Sequence, residues 1–272
     1  MRVATWNILH GMAIAGESAG QIALEGIDAL SNLGLDLLAL QEVDRNQERS
    51  GFSHVTANIA RTANLPYWLF VPTLIGTPGS TWATAHDEHI NRNDNNSQDQ
   101  SAQPQYGISL LSKYELIDVE VLRFKASRVR LPLLLPNRKI MTISDEPRVG
   151  LLATVVTPQG KVHIATGHLS FVPIVNARQL RHLARALKAR AHQQPALLLG
   201  DLNIPGKLAS RIANIQPLVT AKTFPNGNPK IQFDHILGLN ISDIDVQQSL
   251  ATAQSLAMPI SDHQLLMVDV EA

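Results

Sequence analysis

Polar residues that an apolar core would exclude recur at the ends of apolar runs in this sequence. Asn7 follows RVATW, Glu42 follows LDLLALQ, His168 follows HIATG, and Asp201 and Asn203 follow ALLLG. Asp234 sits inside IQFDHIL, and Asp262 and His263 stand just ahead of LLMVDV. Carboxylate and amide oxygens are the hard ligands that Mg2+ or Mn2+ prefers. Imidazoles near neutral pH move protons or, when charged, hold phosphate. Together these groups suit a site that holds a divalent cation, moves protons and binds phosphate. Taken singly, each has an ordinary structural explanation: an Asn ending a strand, a solvated Glu42, a hydrogen-bonded His168, an Asx turn at Asp201-Leu202-Asn203, a turn at Asp262-His263. Their order along the chain carries the argument.

To act together, these side chains must be positioned by elements that end on one rim. Residues 2–8, 35–40, 68–71, 107–111, 116–124, 196–199, 231–237, 244–248 and 265–270 read as strands from their short apolar or alternating runs. Residues 151–156 and 162–166 read as a hairpin turning at Pro158-Gln159-Gly160. Helical spacing marks 18–33, 52–65 and, most clearly, 177–191, where Leu180, Leu183, Ala184, Leu187 and Ala191 share a face. Residues 76–105, rich in Asn, Gln, Ser, Asp and His, read as a polar loop insertion, and 126–145 as irregular. With no repeat and no linker, the expectation is one α/β domain over 1–272 in which strands outnumber helices.

The segments TWN (5–7), QE (41–42), GHLS (167–170), GDLN (200–203), FDHIL (233–237) and SDH (261–263) resemble, in that order, the endonuclease/exonuclease/phosphatase superfamily. The resemblance runs from residue 3 to residue 270. It implies the deoxyribonuclease-I-like fold, a four-layer α/β sandwich of two packed mixed β-sheets flanked by helices. It implies a divalent-metal-dependent phosphoesterase with Mg2+ or Mn2+ as cofactor. Glu42 then resembles the principal metal carboxylate, with Asn7 and Asp262 beside it. Asp201 resembles the group that orients or deprotonates the attacking water, and Asn203 the amide that binds the phosphate. His263 resembles the histidine at the scissile phosphate, Asp234 its orienting carboxylate, and His168 the second histidine. Tyr106 in YGISLLS and Arg148 in EPRVGLL are similar to positions near the phosphate. A histidine at 168 is shared with the deoxyribonuclease I, sphingomyelinase and phosphoinositide branches rather than the abasic-site branch.

Bulk composition narrows the substrate only weakly. Lys plus Arg number 23 and Asp plus Glu 23, a formal charge of zero, so no basic excess announces a nucleic-acid partner. There is no Cys, which excludes disulfides, thiolate metal sites and Cys nucleophiles and fits a reducing cytoplasm. No secretory leader is visible in MRVATWNILHG, and no apolar run is long enough to span a bilayer. Residues 121–144 carry Arg123, Lys125, Arg128, Arg130, Arg138 and Lys139 with no acid, next to LPLLLP. That segment reads as a solvated edge, or as a basic or lipid-facing surface. In QEVDR, Asp44 and Arg45 line the cleft or pair with neighbours, with Arg49 close behind. The leading expectation is a monomeric nuclease-like hydrolase of phosphodiesters. A phosphatase or lipid-head-group diesterase, and a non-catalytic binding module of the same fold, are the alternatives.

Overall fold

A computed structural model describes residues 1–14, 20–93, 103–134 and 140–271, with side chains throughout except at Leu24 and 130–143. In chain order its strands are β1 (Arg2–Asn7), β2 (Leu37–Arg45), β3 (Tyr67–Gly76), β4 (Trp82–Thr84), β5 (Asn91–Arg92), β6 (Gln105–Ser112), β7 (Glu115–Phe124) and β8 (Arg130–Leu134). There follow β9 (Ile140–Ser144), β10 (Arg148–Thr157), β11 (Gly160–His168), β12 (Ala196–Asp201), β13 (Gln216–Pro217), β14 (Asp234–Leu239), β15 (Gln254–Leu256) and β16 (Leu265–Asp269). The α-helices are α1 (Val55–Thr62), α2 (Val175–Ala191), α3 (Leu208–Ala213) and α4 (Asp243–Thr252).

Two mixed sheets dominate. One has the order β15-β16-β1-β2-β6-β3-β4, with β5 also on β3; the other runs β13-β14-β12-β11-β10-β7. They pack face to face because successive side chains of a strand point to opposite faces. Val3, Leu37, Ala39, Leu69, Val71, Ile108 and Leu110 of the first sheet meet Val149, Leu151, Ala153, Ile164, Leu197, Leu199 and Ile236 of the second in one core. The alternate residues pack outward. Trp6, Leu38, Leu40 and Phe70 meet Val55 and Ile59 of α1, and Leu152, Ala165 and Leu198 meet Leu180, Leu183 and Leu187 of α2. Burial on both faces is why LLAL and ALLLG are unbroken apolar runs rather than alternating ones. Each fully buried Leu contributes roughly 1.5–3 kcal/mol.

The reading of the hairpin, of the helix at 177–191 and of most strands matches these elements to within a few residues. Four readings need correction. Residues 244–248 lie in α4, not a strand; Ser242 caps it by accepting from Asp245 N at 3.2 Å, and Asp243 and Asp245 fill its first turn. The expected helix over 18–33 is a 3-10 helix at Leu24–Asn32. The insertion at 76–105 is not wholly loop: β4 and β5 pair with β3 on the sheet edge, with residues 94–102 outside the described set. Within 126–145, β8 and β9 form a separate 2-stranded ribbon. The side chains of LPLLLP, Arg130, Arg138 and Lys139 lie outside the described set. Among the described residues no helix is long and apolar enough to cross a membrane.

Candidate active site

Parallel strands end on the same side of a sheet, and each sheet contributes one such pair to this site. β1 runs parallel to β2 with Asn7 opposite Gln41, and β11 runs parallel to β12 with His168 opposite Asp201. Asp234 opens β14 opposite Asp201, and His263 precedes β16, which runs antiparallel to β1. The first sheet therefore delivers Asn7, Glu42 and His263 to the rim where the second delivers His168, Asp201 and Asp234. Glu42 arrives through a bulge: the β2–β6 register slips between Leu40 and Val43, and Glu42 has φ 58°. A bulge re-aims a side chain that regular pleating would send to the opposite face.

Asp201 Oδ2 is the hub. It accepts from Asn7 Nδ2 at 3.0 Å and lies 3.6 Å from His168 Nε2 and 3.9 Å from His263 Nε2. The same Asn7 Nδ2 donates to Glu42 Oε1 at 3.0 Å, and Leu9 N donates to Asn7 Oδ1 at 3.1 Å, which fixes the amide's orientation. Burial pushes the Asp201 carboxyl up to about 7, with Asp234's charge adding while His263 and the Asn7 bond oppose. Burial and the adjacent Arg148 charge hold His168 well below its ordinary value. His168 is thus neutral, and its approaches to Asp201 and to Glu42 at 4.0 Å are not ion pairs. Arg148 Nη1 lies 3.0 Å from His168 Nδ1, and Arg148 Nε is 3.5 Å from buried Asp145.

His263 is built differently. Its Nδ1 bonds Asp234 Oδ2 at 2.8 Å, Trp6 Nε1 donates to its carbonyl at 3.1 Å, and its N–H donates to Ser261 Oγ at 3.0 Å. Burial pulls this imidazole down, but Asp234 and Asp201, with Asp262 beyond, overcome it and raise it to about 10. One histidine is therefore a neutral ring and the other a held imidazolium, a separation set by which charges face each ring.

Asn203, at φ 50°, donates from its own N–H to Asp201 Oδ1 at 3.0 Å and from Nδ2 to Leu169 O at 2.9 Å. Burial raises Asp262, which feels both His263 and Glu42. Tyr106 is buried on the Glu42 side, its hydroxyl pushed well up by burial and by the Glu42 and Glu146 charges. Asn7, Glu42, His168, Asp201, Asn203, Asp234, Asp262 and His263 gather at this rim, with Arg148 and Tyr106 beside it. Asn176 and Asp145 support the rim without having been singled out: Asn176 Nδ2 holds Asn203 O at 2.8 Å, and Asp145 accepts from Ser127 N and Ser170 Oγ. In QEVDR the structure shows pairing with neighbours: fully buried Asp44 pairs with Arg49 through Oδ2 at 2.8 Å and Oδ1 at 2.7 Å, with the guanidinium 5.8 Å from the Tyr106 ring centre. Arg45 bonds Gln105 Oε1 at 2.8 Å.

The donors fit a hard divalent cation. Glu42 and Asp201 converge on one amide hydrogen-bond donor, and Asp262 adds a third carboxylate within their field. Gathered, half-buried carboxylates call for a cation. Asp201, Asp234 and His263 also offer ligand atoms within 4.8 Å of one another. There the His263–Asp234 bond already uses Nδ1, which suits a proton-holding pair better than a metal cage.

A family profile described as Endonuclease/Exonuclease/phosphatase family matches residues 4–263. No curated protein matches the sequence at a significant level. Among solved structures, an endonuclease/exonuclease/phosphatase family protein from Leptotrichia buccalis is similar at TM-score 0.60 and 13% identity, over 100% of each chain. A mannosyl-6-phosphatase from Bacteroides thetaiotaomicron gives 0.59 at 13% identity, over 100% of each. A mutant beta toxin from Staphylococcus aureus with bound magnesium ions gives 0.59 at 11% identity, over 99% of each. At such identities the likeness speaks for the two-sheet fold alone. The profile, however, runs through every segment from TWN to SDH that converges on this rim, and the chain belongs to the endonuclease/exonuclease/phosphatase family, whose members are phosphoesterase-type hydrolases.

Proposed function

We propose that the protein is a divalent-metal-dependent phosphodiesterase in which one domain, 1–272, hydrolyses a P–O bond. The observation that carries this reading is the single oxygen, Asp201 Oδ2, within reach of Asn7, neutral His168 and charged His263. A carboxylate raised to about 7 is suited to accept a water proton near neutral pH. Glu42, with Asn7 and Asp262, would hold Mg2+ or Mn2+, which supplies Lewis-acid stabilisation of phosphate charge.

The chain's own groups do the rest. Asp201 orients the attacking water and takes its proton as the new P–O bond forms and the ester P–O bond breaks. His263, held as imidazolium by Asp234, donates to a phosphate oxygen and stabilises the charge that builds there. Asn203 offers its amide to another, and Arg148 and Tyr106 border the phosphate. A small or short phosphodiester fits better than a long polyanion. The cations around the cleft are already engaged, Arg49 by Asp44, Arg123 by Asp87 and Arg148 by Asp145.

Incubation with plasmid DNA, RNA and bis-p-nitrophenyl phosphate in Mg2+, Mn2+ or EDTA, beside an Asp201→Ala control, tests the reading. Metal-dependent turnover lost in the variant is expected. Turnover unaffected by EDTA or by Asp201→Ala would overturn it.

A further inference from the structure

The rim that carries the site continues past it on both sheets. On the second sheet Asp201 is opposite His168, His168 opposite Val149, and Val149 opposite Arg123. On the first, Asp44 is opposite Tyr106, Tyr106 opposite Leu74, and Leu74 opposite Thr84. Both rows end at a groove of about 490 Å³ whose lining includes Trp82, Phe124, Lys125 and Pro147. At about 4.8 Å per strand, it lies roughly 15 Å from Asp201.

This groove offers one aromatic face with a cation beside it. Trp82 on the sheet edge is 37% exposed, whereas the Phe124 ring turns to the outer face of its sheet, edge-on to His182 of α2 at 5.7 Å between ring centres, and contributes to the lining only at its margin. Arg123 bridges the sheets, donating from Nε to Asp87 at 2.8 Å and from Nη1 to Pro72 O at 3.0 Å, so the groove walls are tied together. Lys125 is exposed and has no acidic partner among the described residues. Pro147 lines the groove and is followed directly by Arg148, whose Nη1 lies beside His168, so one short segment of chain touches both groove and site. The volume is within the range of ligand sites.

We propose that this groove is a base-binding subsite: it stacks a base of a short single-stranded oligonucleotide on the exposed face of Trp82 while Lys125 meets the adjoining phosphate. The proposal rests on the phosphodiesterase reading and names a substrate class for it. An apolar lipid chain would use Trp82 but leave Lys125 without a role.

The test compares kcat/KM for a thymidine hexanucleotide, an abasic oligomer of equal length and bis-p-nitrophenyl phosphate, which is too short to reach the groove. Wild type should prefer the base-bearing oligomer. Trp82→Ala should lower that preference about tenfold, mainly through KM, with Trp82→Phe restoring most of it. Lys125→Glu, which leaves the walls intact, should weaken both oligomers relative to the small diester. No preference for the base-bearing oligomer in wild type, or an equal loss on both oligomers in Trp82→Ala, overturns the proposal. So does tight binding of phosphatidylcholine vesicles that competes with the small diester. If folded wild type turns over none of the three, the phosphodiesterase reading fails instead. The groove is then read by quenching of tryptophan emission by the hexanucleotide in EDTA, measured against Trp82→Phe. Quenching absent from wild type refutes it.

Discussion

Asp234→Asn isolates a charge without altering shape. The amide can still accept from His263 Nδ1 at the 2.8 Å contact, and the position is fully buried, so no water replaces the lost charge. Holding the His263 imidazolium at about 10 rather than 6.5 corresponds to roughly 5 kcal/mol at about 1.4 kcal/mol per pH unit. Burial works against the charged ring throughout, and Asp234 is the foremost of the acids that overcome it. Without Asp234, the imidazole should titrate at or below neutrality. The assay has two arms. Histidine-labelled protein is titrated by NMR in EDTA, free of metal, and turnover of bis-p-nitrophenyl phosphate is followed against pH with Mg2+. The expected outcome is a His263 resonance that titrates several pH units lower, and turnover at pH 7.5 reduced about 10²–10⁴-fold with recovery toward acid pH. A ring that still titrates near 10 in the variant, or turnover within about threefold of wild type, would refute the reasoning.

Asp201→Ala and His263→Ala should each cut turnover by at least about a hundredfold with the thermal transition retained; near-normal rates in either folded protein would remove that residue from the chemistry. Arg49→Ala strands fully buried Asp44 and should destabilise by about 3 kcal/mol in urea, less in the Asp44→Asn/Arg49→Ala double variant; equal losses in both would mean the pair contributes no coupling. His10 is held neutral, its pKa lowered from 6.5 to about 3 by burial and by Arg49. Its contribution is therefore complete above pH 6.5 and is lost as pH falls toward 3, roughly 2–3 kcal/mol by pH 4.5. His10→Asn should show a correspondingly smaller acid-induced fall in urea midpoint, and parallel falls would contradict this. Gly200→Ala places a Cβ 2.2 Å from Gly167 O at φ +140° and should lose at least about 3 kcal/mol or fail to fold, with normal stability as the contrary result.

The convergence of the candidate residues on one rim is legible in the sequence because they break apolar runs that the core demands. Asp201 after ALLLG and Glu42 just past LLAL and the buried Gln41 are informative because their strands are buried on both faces, so a carboxylate at the strand end marks the rim. Supporting contacts were illegible because they depend on pairing across the chain. Asp44 reaches Arg49 only because β2 leads into a short turn, and Asn176 reaches Asn203 only because α2 lies over β12. In α4 the signal was present but misread: Ser242 followed by Asp243 and Asp245 is a helix start, whereas Ile244 and Val246 alone suggest alternation. The short strands β4 and β5 carry too few apolar residues for any period to emerge, and the backbone of β3 recruits them. Tertiary pairing there overrides local composition.

The pairing of β1 with β16 has a temporal consequence. Asn7 is synthesised long before His263, yet Trp6 bonds the His263 carbonyl and Ser261 bonds the Asn7 carbonyl. Contacts this far apart in sequence form slowly, and none can form before the final strand has left the ribosome. A nascent or prematurely terminated chain can therefore present Glu42 and Asp201 but never the complete constellation. The rim is completed only when β16 has docked on β1, so the topology withholds the assembled site from a partly made chain.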